Sequence, residues 1–149
     1  MDYEIKHLVA SDMVLMRGLN VVFSIAFDDK AAYESALPSD EYLTQRLADE
    51  NFIALVAMNG DEVVGGLAAY VLKKFEQERS EIYIYDLAVL EAHRRKGIAT
   101  NLINELKRIA RERGAYVIYV QADPPDEPAV KLYESLGTKE EVLHFDILP

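Results

Sequence analysis

The chain has no cysteine, which excludes disulfide bridges, thiolate metal sites and a cysteine nucleophile. It also lacks any apolar run approaching the roughly 18 residues of a membrane-spanning helix. Histidine is scarce: His7, His93 and His144 are scattered without metal-ligand spacing, so no metal is expected. No Ser-His-Asp arrangement, Walker loop, internal repeat, linker or low-complexity run is visible. The 149 residues therefore read as one domain, long enough to bury a proper core. The opening Met-Asp-Tyr-Glu-Ile-Lys lacks the basic and apolar regions of a signal peptide, so a cytoplasmic location is the expectation.

What is present is charge, unevenly spread. The net charge is −10, yet His93–Arg113 carries seven Lys/Arg against two Glu. Gln121–Pro149 carries seven Asp/Glu against two Lys. A basic patch beside an acidic region suits an anionic cofactor and a cationic co-substrate, although an acidic balance equally serves solubility. Nucleic-acid binding is disfavoured, because neutralising phosphates needs a basic face larger than one helix start.

The centre of the chain is Glu81–Arg113. Glu81–Val89 is aromatic and aliphatic with one Asp, the signature of a buried strand. From about Gly97 the apolar residues Ile98, Leu102, Ile103, Leu106, Ile109 and Ala110 recur at helical spacing, a stripe laid on a sheet. Gly114 supplies a left-handed C-cap, and Lys107, Arg108, Arg111 and Arg113 suit the negative helix end. Between strand and helix lies Arg-Arg-Lys-Gly-Ile-Ala-Thr, where free N–H groups and small residues suit a pyrophosphate.

Upstream, residues 3–9 alternate as a first strand, and Ser11 can cap a helix reaching about Phe27 with Val14, Leu15, Leu19, Val22 and Phe23. Residues 28–38 read as a loop able to lie over a cleft, and Ser39 caps a shorter helix. Strands 51–58 and 62–72 flank Asn59-Gly60-Asp61, a strong hairpin signal. Gly65-Gly66 marks a bulge or close backbone packing. Downstream come a strand over 116–123, a stop at Pro124-Pro125, and a helix with Pro128 at its first position. Its stripe is Ala129, Leu132, Tyr133 and Leu136. A final strand is expected over 141–147. The layout is α+β with a mostly antiparallel sheet and one parallel crossover pair.

Arg94, Gly97 and Ala99 form Arg-x-x-Gly-x-Ala, which resembles the acetyl-CoA loop of the GNAT superfamily of N-acetyltransferases. The element order is also the GNAT order. Several stretches across 52–147 resemble more closely the GNAT-type aminoglycoside (gentamicin) 3-N-acetyltransferases. They include Phe52-Ile-Ala-Leu-Val-Ala, Glu81-Ile-Tyr-Ile-Tyr-Asp-Leu-Ala-Val, His93-Arg-Arg-Lys-Gly-Ile-Ala-Thr, Gly114-Ala-Tyr-Val-Ile-Tyr-Val-Gln-Ala-Asp and Pro128-Ala-Val-Lys-Leu-Tyr. Pro124-Pro125 stands where a Tyr-Gly-like pair is expected. The resemblance implies a single GNAT domain over 1–149, its sheet splayed between the fourth and fifth strands, transferring acetyl from acetyl-CoA to a cationic aminoglycoside. A homodimer is compatible with it. With no cysteine, transfer is direct or uses another group.

The resemblance implies that main-chain groups of Leu87, Ala88 and Val89 pair with the pantetheine arm. Arg94, Arg95, Lys96, Gly97, Ile98, Ala99 and Thr100 would cradle the pyrophosphate. Tyr133 takes the general-acid position and touches the cofactor, though by periodicity it equally belongs to its helix's buried stripe. Asp123 is the first candidate base, with Glu81 and Asp146 behind it. Tyr83, Asp86, Asp123, Asp126, Glu127 and Asp146 are candidate acceptor contacts. Glu81, Tyr83 and Tyr85 share a face by period two, and Asp86 points to the other face unless a bulge resets the alternation. Other amines (a polyamine, a small metabolite, a protein N-terminus) and a non-catalytic acyl-CoA-binding module are the alternatives.

Overall fold

The computed structural model describes residues 3–149. Five strands, β1 (Glu4–His7), β2 (Phe52–Asn59), β3 (Glu62–Lys73), β4 (Ser80–Val89) and β5 (Ala115–Val120), lie in that order in one sheet. β1 to β4 pair antiparallel, and β5 runs parallel to β4 after a crossover through a helix. The helices are α1 (Met13–Ala26), α2 (Lys30–Glu34), α3 (Asp40–Ala48), α4 (Ile98–Arg113) and α5 (Glu127–Leu136). The chain forms two compact units, one reaching Tyr119 and one from Val120 to Pro149.

In the first unit the sheet has two dry faces. One carries Phe52, Ala54, Val56, Met58, Ala68 and Ala88, packed with Leu19, Val22 and Phe23 of α1 and Leu47 of α3. The other carries Ile53, Leu55, Leu67, Ile82 and Ile84, all at most 2% exposed, and receives α4. The six apolar positions read from the α4 sequence are its buried residues, and Gly114 caps it at φ 74°. Because β2 is buried on both faces, it reads as a continuous apolar run rather than an alternating one.

Local chemistry explains most boundaries. Ser39 Oγ accepts from Tyr42 N–H at 3.1 Å and starts α3. Asn59 pairs with Glu62 across a two-residue turn. The Gly65-Gly66 expectation is met twice. A register shift falls between Ala57 and Met58, and a β-carbon on Gly66 would overlap Leu55 O and the Leu19 side chain.

Four expectations need correction. α1 starts after Asp12 and not on a Ser11 cap; the Asp12 carboxylate instead accepts from Val9 N–H at 2.8 Å and from Lys6 at 3.0 Å. The 28–38 segment contains α2, started by Asp29 accepting from Ala32 N–H at 3.1 Å. β5 ends at Val120, three residues before Asp123. Residues 141–147 form no strand, so Asp146 is not in one. Val142, Leu143, Phe145 and Ile147 are between 69% and 90% exposed, so the alternation read there does not mark a buried face.

Gly66→Ala tests the close approach. With backbone on one side the clash cannot relax, so unfolding in urea should show a loss of about 1–3 kcal/mol. Unchanged stability would mean that β2 and β3 can separate there.

Candidate active site

β4 leads into a 3₁₀ turn (Glu91–His93) and then the N-terminus of α4. Arg94 ties this loop to the strand end: its Nε donates to Val89 O at 2.9 Å, and its N–H closes the turn on Glu91 O at 3.2 Å. Arg94 therefore anchors the cradle and does not offer its own amide to an anion. Arg95 (φ 61°) and Gly97 (φ 79°) are both left-handed, a conformation that turns successive N–H groups toward one side. Gly97 is the N-cap and no side chain caps the helix. The first helical bond runs from Asn101 N–H to Gly97 O at 2.9 Å, which leaves the amides of Ile98, Ala99 and Thr100 ahead of it. Nothing lies within 4 Å of where a Gly97 β-carbon would be. Arg95 and Lys96 are exposed and, among the described residues, form no ion pair. Open amides, positive dipole and two unpaired cations fit a diphosphate.

Further along β4 the register shifts. Ala69 faces Ile84 but Ala68 faces Asp86, so Tyr85 is the extra residue of a bulge. The shift places Asp86 on the face of Tyr83 and Glu81, the outcome the sequence left open. There Asp86 meets α2: Tyr33 Oη donates to its Oδ1 at 3.0 Å. α2 is held by Asn20, whose side-chain amide donates to Tyr33 O at 2.6 Å. Burial lifts the Asp86 carboxyl above the usual carboxylate range, while the Tyr33 hydrogen bond works against that rise. Tyr33 is pushed well above an ordinary phenol, by burial first and then by the Asp86 charge, so it stays protonated and keeps donating.

Glu81 is placed elsewhere. It sits at the start of β4, accepts from Tyr116 Oη, and lies by Arg79, stacked 3.9 Å from the Tyr116 ring centroid. Five residues separate it from Asp86, on the order of 15 Å along a strand. Tyr83 stacks on Tyr119 of β5 at 4.8 Å. With Tyr116 level with Glu81 and Tyr119 level with Tyr83, β5 stops at Val120 while β4 runs on to Val89. Leu87, Ala88 and Val89 at the end of β4 pair with Leu67, Gly66 and Gly65 of β3.

The second unit holds the remaining candidates. Asp126 is the α5 N-cap, accepting from Ala129 N–H at 3.4 Å, with Glu127 in the first turn. Asp123 is exposed and its carbonyl accepts from Asp126 N–H at 2.9 Å in the Pro124-Pro125 turn. Asp146 pairs with His144 at 2.8 Å. Tyr133 is half-buried, and burial followed by the Asp126 charge pushes its phenol up to about 12. The stripe read for α5 is not a buried one, since no residue of the helix is fully buried.

Sequence reading missed Tyr33, because α2 is only five residues long and shows no apolar period. It missed Tyr70 and Tyr119 as neighbours of Tyr83, since strand order and register are not written in one strand alone. The signal available was composition, nine tyrosines in the chain.

With that geometry in hand the comparisons are direct. The profile of the Acetyltransferase (GNAT) family matches residues 19–138, and the chain belongs to that family. Acetyltransferases of this family use acetyl-CoA. The chain is similar to an aminoglycoside acetyltransferase from an uncultured soil metagenomic sample, at 54% identity and TM-score 0.98 over 100% of this chain and 99% of that one. A second aminoglycoside acetyltransferase from such a sample, solved in complex with sisomicin, is 32% identical with TM-score 0.91 over 99% and 96%. An N-alpha-acetyltransferase of Saccharolobus solfataricus is 30% identical, matched over 66% of this chain and 63% of its own length. N-acetyltransferase 8B of Rattus norvegicus is 31% identical over 61% and 41%. The chain thus spans less than two thirds of either of these last two relatives.

Removing the Tyr33 hydroxyl tests the Asp86 environment. That bond favours the charged carboxylate, so Tyr33→Phe should raise the Asp86 pKa further, read by carboxyl-carbon NMR titration. An unchanged or lowered pKa would mean that the contact is not held in solution.

Proposed function

We propose that this acetyltransferase acetylates a cationic amine of aminoglycosides, at the 3-amino group, and so confers resistance to them. The observation that carries the reading is Asp86, half-buried under Tyr33 on the strand that leads to the uncapped start of α4. Likeness across the whole chain to two aminoglycoside acetyltransferases supports it. Likeness to an N-alpha-acetyltransferase supports a second reading, in which the acceptor is a peptide N-terminus.

Bound acetyl-CoA would supply the acetyl thioester. Ile98, Ala99 and Thr100 amides, with Gly97, Arg95 and Lys96, would hold its diphosphate, and Arg94 would keep the loop in place. Backbone groups of Leu87, Ala88 and Val89 would hold the arm. The Asp86 carboxylate holds the acceptor ammonium and takes its proton, directly or through water, because an amine attacks only when neutral. We assign this role to Asp86 ahead of Asp123 and Glu81, since Glu81 is engaged by Tyr116 far along β4. Asp123, Asp126, Glu127 and Asp146 contribute negative charge toward a polycation. Tyr133 Oη keeps its proton at neutral pH and has it available for a leaving thiolate.

Tyr133→Phe should cut kcat by ~10²-fold or more with little change in acetyl-CoA affinity. An unchanged rate would remove Tyr133 from the chemistry. For a base whose pKa is raised, activity is lost as pH falls through that value. The acid limb of kcat/KM should therefore lie above the usual carboxylate range and should vanish in Asp86→Asn, whose rate should drop by ~10²-fold or more. An ordinary carboxylate limb that survives in Asp86→Asn would contradict the assignment. Thiol release with sisomicin, gentamicin, kanamycin, spermidine and a peptide separates the acceptor classes, and product NMR reports the position acetylated.

A further inference from the structure

Four tyrosines of the first unit form one continuous aromatic surface beside Asp86. Tyr70 meets Tyr85 edge-on at 6.0 Å, Tyr85 meets Tyr83 edge-on at 5.7 Å, and Tyr83 stacks on Tyr119 at 4.8 Å. They come from three strands. Tyr70 pairs with Tyr83 in the ladder, and the Ala68–Ala69 register shift turns Tyr85 and Asp86 to the same side. Tyr85 is 64% exposed, Tyr70 43% and Tyr119 36%. The helix-covered part of this face ends nearby, at Phe52, Ala68 and Ala88.

Exposed tyrosines on a sheet are common, since the residue favours strands. A joined row of four, spanning three strands and flanked by a half-buried carboxylate, is a different object. The negative faces of the rings and the Asp86 charge both attract ammonium groups. The chair of an amino sugar or aminocyclitol matches this. One face of C–H groups, polarised by ring oxygen and nitrogen substituents, lies against π faces. Its equatorial hydroxyls reach the phenol rim, and its ring amines extend in plane.

We propose that Tyr70, Tyr83, Tyr85 and Tyr119 are a stacking platform for a saturated amino-substituted ring of the acceptor, delivering one ring ammonium to Asp86. The proposal rests on the aminoglycoside reading above and adds how the ring is recognised. Tyr85 is its centre, because the bulge frees it from the ladder and both edge contacts converge on it.

The test is steady-state kinetics with sisomicin for wild type, Tyr85→Leu and Tyr85→Phe, with thermal unfolding and the acetyl-CoA KM as checks on folding. Tyr85→Leu should raise the sisomicin KM about tenfold, with the loss falling on KM more than kcat and the acetyl-CoA KM unmoved. Tyr85→Phe, which keeps the ring, should stay within about twofold of wild type. A Leu variant with unchanged sisomicin KM, or a Phe variant as impaired as Leu, overturns the platform. Wild type that releases thiol with spermidine or a peptide but not with sisomicin overturns the acceptor reading itself.

Discussion

One register shift in the sheet decides where the chemistry can be. Without the bulge at Tyr85, strict alternation would turn Asp86 to the face covered by α4, beside Ile82 and Ile84. A carboxylate there would be charged, unpaired and dry, a state that costs several kcal/mol and is normally avoided by protonation. With the bulge, Asp86 instead meets the Tyr33 hydroxyl and the open side of the sheet. The same shift brings Tyr85 against Tyr70 and Tyr83. Acid and aromatic surface are two results of one backbone irregularity.

The ends of β4 are as different as its faces. At the start, Glu81, Tyr116 and Arg79 satisfy one another. At the finish, Arg94 secures the chain to Val89 while Arg95 and Lys96 extend away from any counter-charge described. Two of the basic residues near the other end of α4 are engaged: Arg108 is bridged by Glu105 and Glu112, and Arg113 donates to the Glu50 carbonyl at 2.6 Å. The high positive count read over His93–Arg113 therefore overstates the charge available to a ligand. At the helix N-terminus the dipole adds to the charge of Arg95 and Lys96.

Strong local signals carried most of the fold. The α4 stripe, the hairpin at Gly60-Asp61, the Ser39 cap and the Gly114 cap each depend on residues within one element, so they were legible in the chain alone. The Ser11 cap failed because α1 starts one residue later, after Asp12, whose carboxylate is taken by Val9 N–H and Lys6. The final strand failed because alternation states only that a segment suits a sheet, not that it pairs in one. In the site, the Gly97 loop was readable because its geometry is written into glycine and small residues. Asp86 was named but not oriented, since a bulge depends on how two strands align. Tyr33 was invisible, its place being set by Asn20 holding α2 across the fold.

A crystal structure of the protein with coenzyme A and sisomicin tests the central claim most directly. The account predicts one sisomicin ammonium within hydrogen-bond distance of Asp86, and the CoA diphosphate against the amides of Ile98, Ala99 and Thr100. Sisomicin bound with every amine beyond reach of Asp86, or a diphosphate held away from the start of α4, would contradict it.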